Sequence, residues 1–255
     1  MVAGGGRLGP EIWERFVELA GGSNARIVII PTAGTEEEFP EGWPGFLPFQ
    51  EAGAHNLRVL HTRNRNEADS ESFAQVLRQA TGVWIPGGRQ WRLVDSYLNT
   101  RVHDELRALL ERGGVVGGTS AGASIQAEFL VRGDPATNQI MVSPGYEEGF
   151  GFLTGTAVDQ HLLTRAREND LWEVLQLRPH LLGIGLDEGT ALVVRGDRAE
   201  VFGTSDVLFY LPSDLTRTPR IVKAGTVVDL ADWSTNGSVA PVESAVGPDD
   251  HRSLR

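Results

Sequence analysis

The sequence predicts a doubly wound α/β domain, with helices on both faces of a mostly parallel sheet, on three observations. Strand-like and helix-like segments alternate four times before residue 130, as in successive crossover connections. Ile27-Val28-Ile29-Ile30 is an unbroken β-branched run, the composition of a strand buried on both faces. Finally, three turns built on Pro, Gly and small residues, Pro31-Thr32-Ala33-Gly34, Pro86-Gly87-Gly88 and Gly118-Thr119-Ser120-Ala121-Gly122, each follow an apolar run. They fall at the carboxyl edge of one sheet, where open α/β sheets bind ligands.

Along the chain, Gly4-Gly5-Gly6 reads as the turn after a first strand, although almost no residues precede it to form that strand. Pro10 suits the first position of a helix, and Ile12, Trp13, Phe16, Leu19 and Ala20 repeat at helical spacing until Gly21-Gly22. Arg26 to Ile30 is the next strand. Prolines and aromatics crowd residues 39–49 and exclude a long helix, so a loop packing its own aromatics beside the site is expected. Leu57 to Leu60 and Val83 to Ile85 are strands, and Ser70 to Ala80 is a helix between them. Helices over Leu93–Leu98 and Val102–Arg112 lead to the apolar pair Val115-Val116, and a helix over Ala123–Phe129 is expected beyond. The second half is richer in antiparallel strand: a short strand over Thr156–Val158, a helix over Thr164–Gln176, then strands at 183–186, 191–194, 200–203 and 207–211. Gly196-Asp197 is a hairpin turn. A strand pair is expected within 221–230. Residues 1–233 read as one domain and 234–255 as a polar, disordered tail.

Composition removes several functions. The chain has 255 residues, no cysteine and a formal net charge of −11. A thiol nucleophile, disulfides and cysteine-bound zinc are therefore excluded, and the acidic balance argues against nucleic acid and anionic membranes. There is no run of apolar residues long enough to span a bilayer and no secretory leader is visible, so a cytoplasmic location is expected.

The chemistry centres on Ser120. An apolar strand, a sharp turn of small residues and a helix-compatible segment make a nucleophile elbow, in which a strained turn lifts the serine hydroxyl clear of the sheet. The plainer alternative is a serine that only caps a helix; the small residues on both sides favour the nucleophile. A serine nucleophile needs a base and a group that orients the base. Of six histidines, His161 follows directly on a strand, whereas His55, His61, His103, His180 and His251 sit where solvated or capping roles are usual. Two carboxylates could orient His161. Glu188, on a strand-end turn, can approach from the side and is preferred to Asp159. Amides of Ala121 and of Gly88, from the Gly87-Gly88 pair, are the candidate oxyanion donors.

Pro86-Gly87-Gly88-Arg89-Gln90, Gly118–Ala123, Gly149-Phe150-Gly151-Phe152-Leu153, Asp159-Gln160-His161 with Arg165 and Arg167, and Gly183–Glu188 together resemble the cyanophycinase family of serine peptidases, from about Gly4 to Leu230. The resemblance implies a flavodoxin-like α/β fold related to class I glutamine amidotransferases and aspartyl dipeptidases. It implies an exopeptidase cutting cyanophycin, a polyaspartate bearing arginine on each side chain, with Ser120 as nucleophile, His161 as base and Glu188 as acid. Gln90, Asp159, Gln160, Arg165 and Arg167 would line the substrate pocket, the arginines meeting carboxylates and Asp159 a guanidinium. One position departs: the family pattern has a further arginine three residues beyond Arg167, where this chain has Asp170. No cofactor or metal is called for. The expected partners are a peptide rich in Asp and Arg and a second copy of the chain in a homodimer. Rival readings are an aspartyl or isoaspartyl dipeptidase with the same triad, an α/β-hydrolase esterase, disfavoured because its histidine comes last, and a non-catalytic binding module.

Overall fold

The computed structural model describes residues 1–233 apart from 213, 215 and 232; the expectation of a disordered tail over 234–255 lies outside them. The strands are β1 Val2–Ala3, β2 Arg26–Ile29, β3 Asn56–Val59, β4 Gly82–Ile85, β5 Val115–Thr119, β6 Ala127–Phe129, β7 Leu153–Gln160, β8 Leu182–Leu186, β9 Thr190–Arg195, β10 Arg198–Gly203, β11 Val207–Tyr210, β12 Arg220–Val222 and β13 Val227–Asp229. They form two sheets rather than the one expected. The first has eight strands in the order β13-β10-β9-β1-β5-β4-β2-β3, the second five in the order β12-β11-β8-β7-β6.

In the first sheet β1, β5, β4, β2 and β3 are parallel, and β9, β10 and β13 add antiparallel pairings. The strand that looked almost missing is present and central. Val2 and Ala3 pair with Gly118 and Thr119 of β5 on one side and with Leu192 and Ala191 of β9 on the other. In the second sheet β6, β7 and β8 are parallel, and the two segments expected as one strand pair, β12 and β13, belong to different sheets.

Side-chain alternation assigns the layers. Ile27, Ile29 and Trp84 pack with Ile12 and Phe16 of the helix Pro10–Leu19 on one face of the first sheet. Val28, Ile30, Val83 and Ile85 pack with Leu93, Tyr97, Leu106 and Leu109, from the helices Gln90–Tyr97 and Arg101–Glu111, on the other. Beside that helix pair the second sheet supplies its own cover. Val2, Leu192 and Val201 of the first sheet share a core with Val158, Ile184, Leu186, Val207 and Phe209 of the second. Both sheets therefore converge on β1, and the carboxyl ends of β1, β5, β7 and β8 come together.

The expected helices after the elbow and after His161 are shorter. Ala121–Ser124 is a single turn before β6, and Leu171–Leu177 is the only helical part of the segment expected over Thr164–Gln176. Residues 71–79 split into the turn Glu71–Ala74 and the 3-10 stretch Gln75–Gln79. The aromatic loop packs as expected: Trp43 meets Phe39 and Phe46 edge-on, and Phe49 reaches the core against Phe16 and Trp13. Among the described residues no helix is long and apolar enough to cross a membrane.

Trp84 is the pivot of the face under the first helix, with its ring 4.9 Å from Phe16 and 4.7 Å from Trp13 between centroids. Truncating a buried aromatic of this size costs about 3–5 kcal/mol, so Trp84→Ala should lower the denaturant midpoint by a corresponding amount. A midpoint equal to that of the wild type would remove Trp84 from the core account.

Candidate active site

Ser120 sits between β5 and the turn Ala121–Ser124, with φ 54° and ψ −114°. This is a region that non-glycine residues enter only when their surroundings enforce it. Here the enforcement comes from close packing on both sides. The Ser120 N–H donates to the Ala3 carbonyl at 2.9 Å. A Cβ on Gly122 would lie within van der Waals distance of the Ile85 carbonyl, at 1.8 Å, so only glycine lets the turn fold against β4.

His161 follows β7 directly, also at positive φ (54°). Its ring spans the gap between the sheets. The Ser120 hydroxyl donates to His161 Nε2 at 3.0 Å, and His161 Nδ1–H donates to Glu188 Oε1 at 2.5 Å. These two bonds fix the neutral tautomer with its lone pair toward the serine. Burial holds the imidazole pKa below the ordinary histidine value, and the nearby Arg165 and Arg167 lower it further, against the raising effect of Glu188. The arrangement is a hydroxyl hydrogen-bonded to one ring nitrogen and a carboxylate hydrogen-bonded to the other, a geometry that can carry nucleophilic catalysis.

The glycine run at the end of β1 frames this line, a role its sequence did not disclose. The Gly4 carbonyl accepts the His161 N–H at 2.9 Å, and the Gly5 carbonyl accepts the Gly189 N–H at 3.0 Å. A Cβ on Gly5 would stand 2.2 Å from the imidazole Cε1, and one on Gly6 2.4 Å from Glu188 Oε2. Bare backbone therefore lies against both side chains. A signal was available in three consecutive glycines following a strand, but the strand was too short to advertise itself.

The remaining candidates divide. A Cβ on Gly87 would be 3.1 Å from Ser120 Cβ and 3.6 Å from its Oγ, so the Gly87-Gly88 backbone lies beside the serine. Gly88 turns there at φ 147°. Ala121 opens a helical turn, where the first N–H groups have no intrahelical acceptor. Gln160 is buried, with Oε1 3.5 Å from Ser120 Oγ. Gln90 is also buried, and its side-chain amide makes no hydrogen bond among the described residues. Arg167 is only 4% exposed, yet it meets no carboxylate among the described residues; its Nη1 donates to the Gln160 carbonyl at 3.1 Å. Arg165 is exposed beside His161.

Asp159 is the correction. Expected to face a substrate guanidinium, it is fully buried and already holds one, with Arg132 Nε and Nη2 donating to its two oxygens at 2.7 and 2.8 Å. The same pairing turns it away from His161, leaving Glu188 as the carboxylate that reaches the imidazole. Arg132, which sequence reading passed over, also donates to Asp170 at 2.6 Å. His103, expected to be solvated or capping, is buried; its Nδ1 accepts the Asn99 N–H at the start of the helix at 3.1 Å, and its Nε2 lies 2.9 Å from the Phe150 carbonyl. No group of three or more His, Asp or Glu side chains placed to hold a metal occurs among the described residues.

With this geometry in view, comparison with known proteins is decisive for the family. Peptidase family S51 matches residues 2–202. The chain belongs to peptidase family S51. A cyanophycinase of Geminocystis herdmanii is 34% identical over 204 residues, covering 78% of this chain and 74% of that protein. A peptidase E of Actinobacillus pleuropneumoniae is 24% identical over 202 residues, covering 75% of this chain and 81% of that protein. The crystal structure of a peptidase from an acI-B1 Actinobacterium superposes with a TM-score of 0.69 at 23% identity, over 89% of this chain and 95% of that one. The α/β fold, the serine-type peptidase class and the resemblance read from the motifs accordingly stand for this chain.

Two outcomes follow from the S51 geometry. Gly5→Ala pushes a methyl group into the imidazole, and a displacement of about 1 Å in such a site costs on the order of a hundredfold in rate; kcat should fall by that order while the far-UV spectrum is unchanged. An unchanged kcat would mean that the glycine does not frame the base. To act as a base His161 would have to be unprotonated, so kcat/KM should rise with pH through a midpoint below the ordinary histidine value. Arg165→Gln removes a positive neighbour and should move that midpoint upward, as read from kcat/KM profiles at low salt.

Proposed function

We propose that this S51 peptidase hydrolyses peptides rich in free carboxylates, with cyanophycin and related β-aspartyl peptides as the substrate class, through Ser120, His161 and Glu188. The observation that carries the reading is the unbroken hydrogen-bonded line from Ser120 Oγ through both ring nitrogens of His161 to Glu188, at 3.0 and 2.5 Å.

In this reading Ser120 Oγ attacks the scissile carbonyl carbon while its proton passes to His161 Nε2. The developing imidazolium is balanced by Glu188 across Nδ1–H. The carbonyl oxygen, now negative, receives hydrogen bonds from the Gly88 and Ala121 amides. His161 then gives its proton to the leaving amine as the C–N bond breaks. A water, deprotonated by the same imidazole, releases the acyl group from Ser120 and restores the serine. The depressed pKa of His161 keeps it unprotonated, and so ready to act as base, at neutral pH.

Substrate recognition rests on Arg167, Arg165, Gln90 and Gln160. A buried guanidinium without a carboxylate partner is costly to keep unless a ligand supplies one, and Arg167 is in that position, its Nη1 3.4 Å from the same Gln160 Oε1 that lies 3.5 Å from Ser120 Oγ. A planar guanidinium suits a peptide carboxylate through paired hydrogen bonds. The substrate's own guanidinium, if it carries one, must be met elsewhere than at Asp159, since Arg132 occupies that carboxylate. This observation favours a second reading, an aspartyl or isoaspartyl dipeptidase using the same three residues, whose substrate carries no guanidinium to be met.

The test is incubation of the purified protein with cyanophycin, and in parallel with short α- and β-aspartyl dipeptides, followed by mass analysis of the products. Release of β-aspartyl-arginine supports the first reading, and cleavage confined to dipeptides supports the second. Ser120→Ala should reduce either activity by at least about a thousandfold with the fold retained. A Ser120→Ala protein as active as the wild type would refute the mechanism.

A further inference from the structure

The segment carrying His161, Arg165 and Arg167 is irregular. It begins where β7 ends and runs to the helix Leu171–Leu177, with positive φ at His161 and Ala166. Something must fix it if Arg167 is to meet a ligand in one place. At its start stands Asp159 and at its end Asp170, and one side chain from a third element, Arg132, binds both. Arg132 is fully buried. Its Nε and Nη2 meet the two oxygens of Asp159 at 2.7 and 2.8 Å, Nη2 meets Asp170 Oδ2 at 2.6 Å, and Nη1 donates to the Asn138 carbonyl at 2.9 Å.

The connection continues toward the serine. Asp159 Oδ1 also accepts the Gln160 N–H at 2.9 Å, and the Gln160 carbonyl accepts Arg167 Nη1 at 3.1 Å. The fork of a guanidinium is suited to spanning two carboxylates in fixed directions, which an ammonium cannot reproduce. The departure noted at Asp170 thus has a physical counterpart: the aspartate is one of the two carboxylates that a positive charge on another segment ties together.

We propose that Arg132 is a positioning residue that staples both ends of this segment and thereby sets Arg167 for a substrate carboxylate; the proposal rests on the peptidase reading above. Arg132 touches neither the serine nor its partners and acts through Asp159, Gln160 and Asp170.

The test uses Asp170, whose side chain is 38% exposed, so that its removal leaves the buried Arg132–Asp159 pair intact and the protein folded. Asp170→Ala should raise KM for a carboxylate-bearing peptide on the order of tenfold, with kcat within about twofold. Asp170→Asn, which keeps an oxygen acceptor, should recover part of that loss. In an Arg167→Gln background Asp170→Ala should add nothing further, because both changes act on one contact. Amide hydrogen exchange across residues 162–170 should be faster in Asp170→Ala, and equally so when Ser120 is also alanine. An unchanged KM, unchanged exchange, or an effect that adds in full to Arg167→Gln would each overturn the proposal. If the wild type cleaves no peptide, the functional reading fails by itself, and the exchange measurement still decides whether the staple holds the segment.

Discussion

Everything in this site depends on one imidazole spanning two sheets. Ser120 is delivered by β5 of the first sheet, whereas His161 and Glu188 are delivered by β7 and β8 of the second. No single sheet holds the line together. What does is the end of β1, whose Gly4 and Gly5 carbonyls bind the N–H groups of His161 and Gly189. A two-residue strand thereby sets the distance between hydroxyl and imidazole. Both Ser120 and His161 sit at φ 54°, and strain of this kind persists only where neighbouring structure over-determines the backbone. Here the neighbouring structure is the glycine run and the tight packing of the elbow on β4.

Charge is distributed with the same economy. The whole chain is acidic, at −11, yet the groups around the serine include two arginines that meet no carboxylate among the described residues, Arg165 and Arg167. Their field lowers the basicity of His161, while Glu188 raises it. Deeper in, Arg132 neutralises Asp159, so the carboxylate next to the base in sequence does not compete with Glu188 for it. Asp159, which looks like a recognition group in the sequence, and Asp170, which looks like a departure from the family pattern, are both held by Arg132. The polar groups left around the serine and imidazole without a carboxylate partner among the described residues are guanidinium and amide groups, those of Arg165, Arg167 and Gln160.

Much of this was legible in the sequence for physical reasons. The elbow announced itself because a strained turn tolerates only small residues, and the carboxyl-edge turns because prolines and glycines punctuate parallel strands. Ser120 and Glu188 each hydrogen-bond a ring nitrogen of His161, the convergence of the three segments that the sequence led one to expect. The division into two sheets was not legible: strand periodicity reports burial but not which sheet a strand joins. Helices were overextended after the elbow and after His161, because Ala-rich or amphipathic residues satisfy the helical pattern while tertiary pairing claims them as β6 or as irregular backbone. Asp159 was misassigned because its partner, Arg132, lies far off in sequence and carries no local signature. For the same reason the framing role of Gly4-Gly5-Gly6 emerged only from the packing.

Whether Ser120 is a nucleophile activated through His161 is tested most directly by labelling with a fluorophosphonate probe. One probe per chain is expected, located by mass spectrometry on the peptide containing Ser120, with labelling strongly slowed in His161→Ala. Labelling at another residue, or labelling of Ser120 at an equal rate without the imidazole, would contradict it.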